Sequence, residues 1–339
     1  MGKGLGRFNK LVFLFNWLAA FLLLLACISR FLSWGIFSFL SFPSLLLPYL
    51  VVANFVFLGY WALKGKNQIL LSIVILLFGY LTQDSFVRIF DSNNTPDKED
   101  IKVLTFNVYE FFGYKSSRYP IAEKDIESFL KHQNVDIICL QEYSRDVKKP
   151  FNTLPYKYIT PDGMGKSLQV IYSKYPIVSK GSLNFPNSSN NTIFADVLIG
   201  EDTLRVYNVH LQSHMVRAGS FKREAPDRLF NRLNKSFQKQ QQQANMVKEH
   251  ANKVGYKKII CGDFNNTQFS SVYNTIKGDM KDSFQEKGAG LGNTYNFKFL
   301  PFRIDFILTD PELEIKSHKN FDVRLSDHTP VMASFRLKD

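Results

Sequence analysis

The chain is poor in cysteine: Cys27, Cys139 and Cys261 are the only three in 339 residues. Three cysteines make no disulfide framework and no thiolate metal cluster. Each sits in an apolar run, so all three read as small buried hydrophobes. No glycine-rich loop of the kind that cradles a nucleotide phosphate occurs, which removes P-loop chemistry. Acidic residues are the minority charge, 30 against 42 Lys and Arg, for a net charge of +12. Beyond residue 100 the positive excess is concentrated between His214 and Lys258, where eleven basic residues meet three acidic ones. No aromatic residues interleave there in the manner of a platform for single-stranded nucleic acid. The first apolar run lacks a small-residue cleavage site and two more runs follow it, which argues against a removable secretory leader.

Hydrophobicity, where present, is unevenly spread. Residues 1–90 hold three long apolar runs, at 11–29, 44–63 and 68–86. A helix needs roughly 20 residues to cross the hydrocarbon core of a bilayer, so a bundle of about three transmembrane helices is expected. Lys3, Arg7 and Lys10 precede the first run, Arg30 follows it, and Lys64 and Lys66 lie between the second and third. Cations favour the cytoplasmic side. This places the N-terminus inside and everything after the third run on the outer, periplasmic face of a cell inner membrane. Residues 91–100 are a polar linker, and 101–339 have the composition of a globular domain.

Within that domain, apolar strands end in polar residues. Ile101–Asn107 alternates and stops at Asn107, and Val135–Glu142 stops at Glu142. Ile193–Ile199 and Leu204–Leu211 read as a hairpin around Gly200, with His210 near the end of its second arm. Ile259, Ile260 and Cys261 precede Gly262, Asp263 and Asn265. Asp305 opens another strand, and Asp327 and His328 precede the last one. Side chains alternate along a strand, so Asp263 and Asn265 face the same way if the strand persists. Strand ends in an α/β sandwich share a rim, the usual place for a site. Taken singly, each residue has a plainer role as a turn former, strand end or satisfied core histidine.

The ordered motifs Thr105-Phe-Asn107, Leu140-Gln-Glu142, Asn208-Val-His210-Leu211, Gly262-Asp-Phe-Asn265, Arg303-Ile-Asp305 and Ser326-Asp-His-Thr-Pro-Val331 resemble those of the endonuclease/exonuclease/phosphatase superfamily, the fold of pancreatic deoxyribonuclease. The resemblance implies a four-layer α/β sandwich, two mixed sheets face to face with helices outside. It implies that Glu142, assisted by Asn107, binds Mg²⁺ or Mn²⁺, with Asp327 near the metal. Asp263 and Asn265 would position or deprotonate the attacking water. His328, held by Asp305, would contact the scissile phosphate, and His210 would support the phosphate or the leaving group. Tyr109 stands where some base-excision members have Asp.

The chemistry of the residues agrees with that reading. Phosphodiester hydrolysis needs charge stabilisation, an oriented water and help for the leaving oxygen. Hard oxygen ligands suit Mg²⁺, and an Asp–His pair fixes the imidazole and favours its protonated form. Arg217, Lys222 and Arg223 are candidates for substrate contact, and a basic face attracts a polyanion. The expected partners are a phosphodiester, nucleic acid or phospholipid headgroup, and the bilayer. A sphingomyelinase-like phosphodiesterase and a silent phosphate-binding membrane scaffold are the alternatives to a nuclease-like enzyme.

Overall fold

A computed structural model describes residues 5–32, 41–88, 97–111, 123–144, 153–161, 167–214, 224–297 and 300–337. The chain divides into two compact units, Met1–Phe86 with Thr267–Asn274, and Val87–Asn266 with Thr275–Asp339.

The first unit is helical: α1 (Arg7–Ser29), α2 (Ser41–Leu45), α3 (Leu47–Leu63) and α4 (Ile69–Thr82). Its apolar cluster includes Ala20, Leu23, Cys27, Leu47 and Ile75, and Phe269 belongs to it too. Phe269 meets the ring of Phe86 edge-on. One polar triad is sealed inside: Trp61 Nε1 donates to Asn16 Oδ1 at 2.9 Å, and Asn16 Nδ2 donates to Ser72 Oγ at 2.9 Å. Every polar atom of such a triad needs its partner in an apolar interior. Arg30, expected only as a flanking cation, pairs with Asp84 at 3.1 Å and donates to the Thr82 carbonyl.

Here the structure corrects the three expected spans. Among the described residues, only Arg7–Ser29 is both long and apolar enough to cross a membrane. In place of the second run, α3 has 17 residues, because Leu46 breaks the helix before it and Pro48 fits only its first turn. In place of the third run, α4 has 14 residues, because the chain turns extended at Gln83. At 1.5 Å per residue α4 is about 21 Å long, short of a hydrocarbon core of about 30 Å.

The second unit is two facing sheets. One has the order β13-β14-β1-β2-β4-β3, the other β5-β6-β7-β8-β12-β9. Their central strands are β1 (Ile101–Asn107), β2 (Ile137–Tyr143), β4 (Leu168–Ser173) and β14 (Val331–Arg336) in the first, and β6 (Thr192–Ile199), β7 (Asp202–His210), β8 (Lys257–Asp263) and β12 (Asp305–Thr309) in the second. At the edges lie β3 (Tyr156–Ile159), β5 (Ile177–Ser182), β9 (Lys281–Asp282) and β13 (Glu314–Asn320), and β10 (Tyr295–Phe297) pairs with β11 (Leu300–Phe302) as a separate hairpin. Each main sheet is mixed: β1–β2 and β7–β8 are parallel, and the other pairs are antiparallel.

Both parallel pairs are joined by crossovers carrying a helix, α5 (Glu123–His132) and α6 (Pro226–Asn252). The inner core alternates as strand geometry demands. Val103, Ile137, Cys139, Ile193, Ala195, Val206, Ile259, Cys261 and Ile307 pack between the sheets. Leu104, Phe106, Ile138 and Leu140 face outward onto Ile126 and Leu130 of α5. Cys139 and Cys261 are buried here as free thiols, as their setting in the sequence suggested.

Candidate active site

Strand alternation aims most of the site. In β1, Val103 is on the inner face, so Thr105 and Asn107 are as well. In β8, Ile259 and Cys261 point inward and Asp263 follows. Val206 and Ile307 likewise bring His210 and Asp305 inward. Glu142 breaks the pattern. Ile137, Cys139 and Gln141 face inward, so an undisturbed strand would send Glu142 outward. Instead the β2–β4 register shifts between Gln141 and Tyr143, and Glu142 takes a left-handed backbone with φ of 50°. A bulge re-aims one side chain at the cost of local strain. Here it brings Glu142 Oε1 within 3.2 Å of Asn107 Nδ2.

Asp263 is the hub. Its Oδ2 accepts from Asn107 Nδ2 and Asn265 Nδ2, both at 3.1 Å, and its Oδ1 accepts from the Asn265 backbone N–H at 2.7 Å. His210 Nε2 lies 3.6 Å and His328 Nε2 3.8 Å from Oδ2. His328 Nδ1 meets Asp305 Oδ2 at 2.8 Å. His210 Nδ1 meets Ser167 Oγ at 3.1 Å. Gly262 makes this closeness possible. Its φ is 133°, and a Cβ there would collide with the Val209 carbonyl on β7. Asn265 has a φ of 50°, and Asn tolerates that region better than most residues.

The structure therefore gathers Asn107, Glu142, His210, Asp263, Asn265, Asp305 and His328. Asp327 is half-exposed and bonds its neighbour Ser326 at 3.1 Å, and its charge is felt at both Glu142 and His328. Arg217, Lys222 and Arg223 lie outside the described residues. Of the basic residues that follow them, Arg232 is tied to Glu224 and the His214 carbonyl. Lys239 donates to the Asn187 carbonyl at 2.7 Å.

The two histidines are opposite in charge. Burial lowers His210 to about 3, with the His328 charge adding to the effect, so His210 is neutral. Burial is the largest single influence on His328 and lowers it. Asp305 and Asp263, with the Asp305 hydrogen bond and Asp327, together outweigh burial and raise His328 well above its ordinary value. His328 is thus an imidazolium between two carboxylates. Burial raises Asp263 to about 7, with Asp305 adding and His328 opposing. Burial also raises Glu142, against the Asn107 hydrogen bond.

Asp263, Asp305 and His328 present ligand atoms within 4.8 Å of one another. That row is compensated by its own proton, so a cation entering there must displace it. Glu142 differs, since its nearest imidazole, His210 at 3.8 Å, is neutral. A half-buried carboxylate that makes no ion pair with a Lys or Arg among the described residues, beside an amide and free of sulfur, fits a hard divalent ion. Glu142 and Asn107 are the residues that would hold it. When bound, such an ion stabilises negative charge on phosphate oxygens.

Several supporting residues carried no assigned role in the sequence reading. Gln141 Nε2 donates to Asn208 Oδ1 at 2.7 Å and Thr105 Oγ1 at 3.0 Å, and Asn208 Nδ2 reaches the Leu140 and Val170 carbonyls. This network ties β1, β2, β4 and β7 together beneath the site. Its signal was a pair of amides on otherwise apolar inner faces.

A two-sheet sandwich with carboxylates, amides and imidazoles at its strand ends defines a phosphoester-hydrolase class of protein. The chain belongs to the Endonuclease/Exonuclease/phosphatase family, which matches residues 104–328 and whose members hydrolyse phosphoester bonds, in general with a divalent metal. Residues 9–86 match a separate domain of unknown function (DUF8431). Among solved structures, the chain is similar to an endonuclease/exonuclease/phosphatase from Bacteroides vulgatus, with 20% identity, a TM-score of 0.54, and coverage of 71% of this chain and 100% of that one. It is similar to D. rerio TDP2 complexed with a single-strand DNA product, with 16% identity, a TM-score of 0.53 and coverage of 71% and 100%. It is also similar to a mannosyl-6-phosphatase from Bacteroides thetaiotaomicron, with 19% identity, a TM-score of 0.52 and coverage of 69% and 99%. At these identities the likeness is one of fold. No match is found among curated proteins.

Proposed function

We propose that the protein is a Mg²⁺- or Mn²⁺-dependent phosphodiesterase, nuclease-like in its chemistry and attached to a membrane. The carrying observation is the Asp263 carboxylate, held by the Asn107 and Asn265 amides between a neutral His210 and a cationic His328. Asp263 accepts a proton from water, and Asn265 fixes the direction in which that water lies. Imidazolium His328, oriented by Asp305, donates to a phosphate oxygen. Neutral His210 is free to hydrogen-bond the phosphate or the leaving oxygen. Glu142 and Asn107 would hold the metal, with the Asp327 carboxylate adding negative charge nearby.

Attachment is supported by α1, whose exposed Phe8, Leu11, Leu14, Phe15 and Leu18 need apolar surroundings. Phe55 and Val56 of α3 and Val74 and Leu81 of α4 are exposed as well. A single crossing by α1, with the basic N-terminus inside, puts the hydrolase on the outer, periplasmic face. Protease digestion of spheroplasts tests this, and full protection of residues 101–339 would overturn it.

The activity test is hydrolysis of bis(4-nitrophenyl) phosphate, DNA, RNA, phospholipid and sugar phosphate by the full chain with Mg²⁺ or Mn²⁺. Asp263→Asn and Glu142→Gln are expected to lower the rate by about 10²-fold or more. Wild type no faster than Asp263→Asn on every substrate and metal would remove the proposal and leave a silent phosphate-binding scaffold. Phosphomonoester hydrolysis is the second reading, favoured by the similarity to the mannosyl-6-phosphatase fold. A phospholipid headgroup as substrate is favoured by the apolar helices.

A further inference from the structure

The run Gln240-Gln241-Gln242-Gln243 is the least expected feature of α6, because three of its four members are buried. A helix that only covers a sheet packs apolar residues there, and a buried amide is costly unless bonded. These amides are bonded, and Gln240 and Gln243 bond the two loops that carry the site. Gln240 Nε2 donates to the Gln212 carbonyl at 2.7 Å and the Asn265 carbonyl at 3.0 Å. Its Oε1 accepts from Asn266 Nδ2 at 2.8 Å. Gln243 Oε1 accepts from the Gln212 N–H at 2.8 Å.

The same loops are also laced to each other. The Leu211 N–H donates to the Asp263 carbonyl at 3.0 Å, and Asn265 Nδ2 donates to the Leu211 carbonyl at 3.0 Å. One turn of helix thus joins the chain just after His210 to the chain just after Asp263.

We propose that Gln240 is a positioning residue: it holds the Asn265 backbone in its left-handed conformation, and so aims the Asn265 side chain at Asp263. The inference rests on the phosphodiesterase reading for its kinetic consequence and on geometry for the clamp. Asn265 holds a left-handed backbone, a conformation open to Asn but not its only one, so its surroundings must select it. Its N–H and side chain are fixed by Asp263 and Leu211. Its carbonyl is held from the other side by Gln240. Without that hold, the peptide can relax and the amide swings off the Asp263 carboxylate.

Gln240→Met keeps length and volume but removes both donors and the acceptor. Gln241→Met is the control, since Gln241 is buried in the same turn but bonds Asn245 and Thr275. With bis(4-nitrophenyl) phosphate and Mg²⁺, Gln240→Met is expected to lower kcat about tenfold with KM little changed. In an Asn265→Ala background the same substitution is expected to cost little, because its effect runs through Asn265. Amide hydrogen exchange of the metal-free full chain should rise across residues 211–214 and 263–266 in Gln240→Met and not in Gln241→Met. Equal exchange in those segments for the two variants would overturn the clamp whatever the activity. Raised exchange with unchanged kcat would overturn the positioning role alone. An inactive wild type would count against the phosphodiesterase reading and leave the exchange result to decide the clamp.

Discussion

Glu142 and Asn265 both occupy left-handed backbone, and both are polar groups turned toward Asp263's neighbourhood. For Glu142, a poor left-handed residue, such backbone costs about 1–3 kcal/mol, so the fold gives up stability to aim that side chain, whereas Asn265 takes the conformation readily. Away from the site, His318 shows how individual burial becomes pH dependence. Its Nδ1 lies 2.8 Å from Ser283 Oγ and its Nε2 2.9 Å from Asn320 Oδ1. Burial lowers it to about 4, against smaller upward pulls from Asn320 and Asp282. A histidine whose folded pKa is depressed contributes fully above its unfolded value of about 6.5, and loses that contribution as pH falls toward the folded value. His318→Gln cannot titrate. Its stability deficit relative to wild type, read by urea unfolding, should therefore shrink by roughly 1–2 kcal/mol between about pH 7.5 and about pH 4.5, allowing for the ring's partial exposure. A constant deficit would show that the ring titrates normally.

At the scale of elements, β8 and its turn are the tightest point. Gly262 lies against β7 so closely that any side chain would meet the Val209 backbone, and its φ is unfavourable for other residues. Gly262→Ala should destabilise by at least about 2 kcal/mol and abolish activity, as thermal melting and the phosphodiester assay would show. A melting temperature equal to wild type would contradict the packing. The central strands were legible in the sequence because their apolar alternation is strong and each ends in a polar group. Ile101–Asn107 and the hairpin around Gly200 emerge close to their expected bounds.

Edge elements were not legible. Tyr156–Ile159 and the β10–β11 hairpin are short, and they and Glu314–Asn320 are largely half-exposed and lack a repeating apolar face. The site's polar ends could be read residue by residue. The bulge at Glu142 could not, because alternation alone sends that side chain the wrong way. Nor could the buried glutamines, since a run of amides on a helix normally faces water. The apolar runs at the N-terminus were visible, but their helical lengths were not. These were set by Pro48 and by the extended Gln83 rather than by hydrophobicity.

At the scale of the whole molecule, sequence and space divide the chain differently. The two matched families meet between residues 86 and 104. Yet Thr267–Asn274, inside the match over residues 104–328, clusters with the N-terminal helices, and Phe269 is 2% exposed there. A chain shortened to begin at residue 97 should therefore expose Phe269 and self-associate on size-exclusion chromatography. Phe269→Ser in the shortened chain should reduce that association. A monodisperse shortened chain with Phe269 intact would show that its burial does not depend on the helices.

The same eight residues bear on inheritance. A hydrolase joined to different N-terminal helices would bring along a segment shaped for the old ones. The two regions can be exchanged as genes only if Thr267–Asn274 changes with them, so variation at Phe269 should track variation around Leu23, Cys27 and Phe86 rather than variation at Asp263 and Asn265 a few positions upstream.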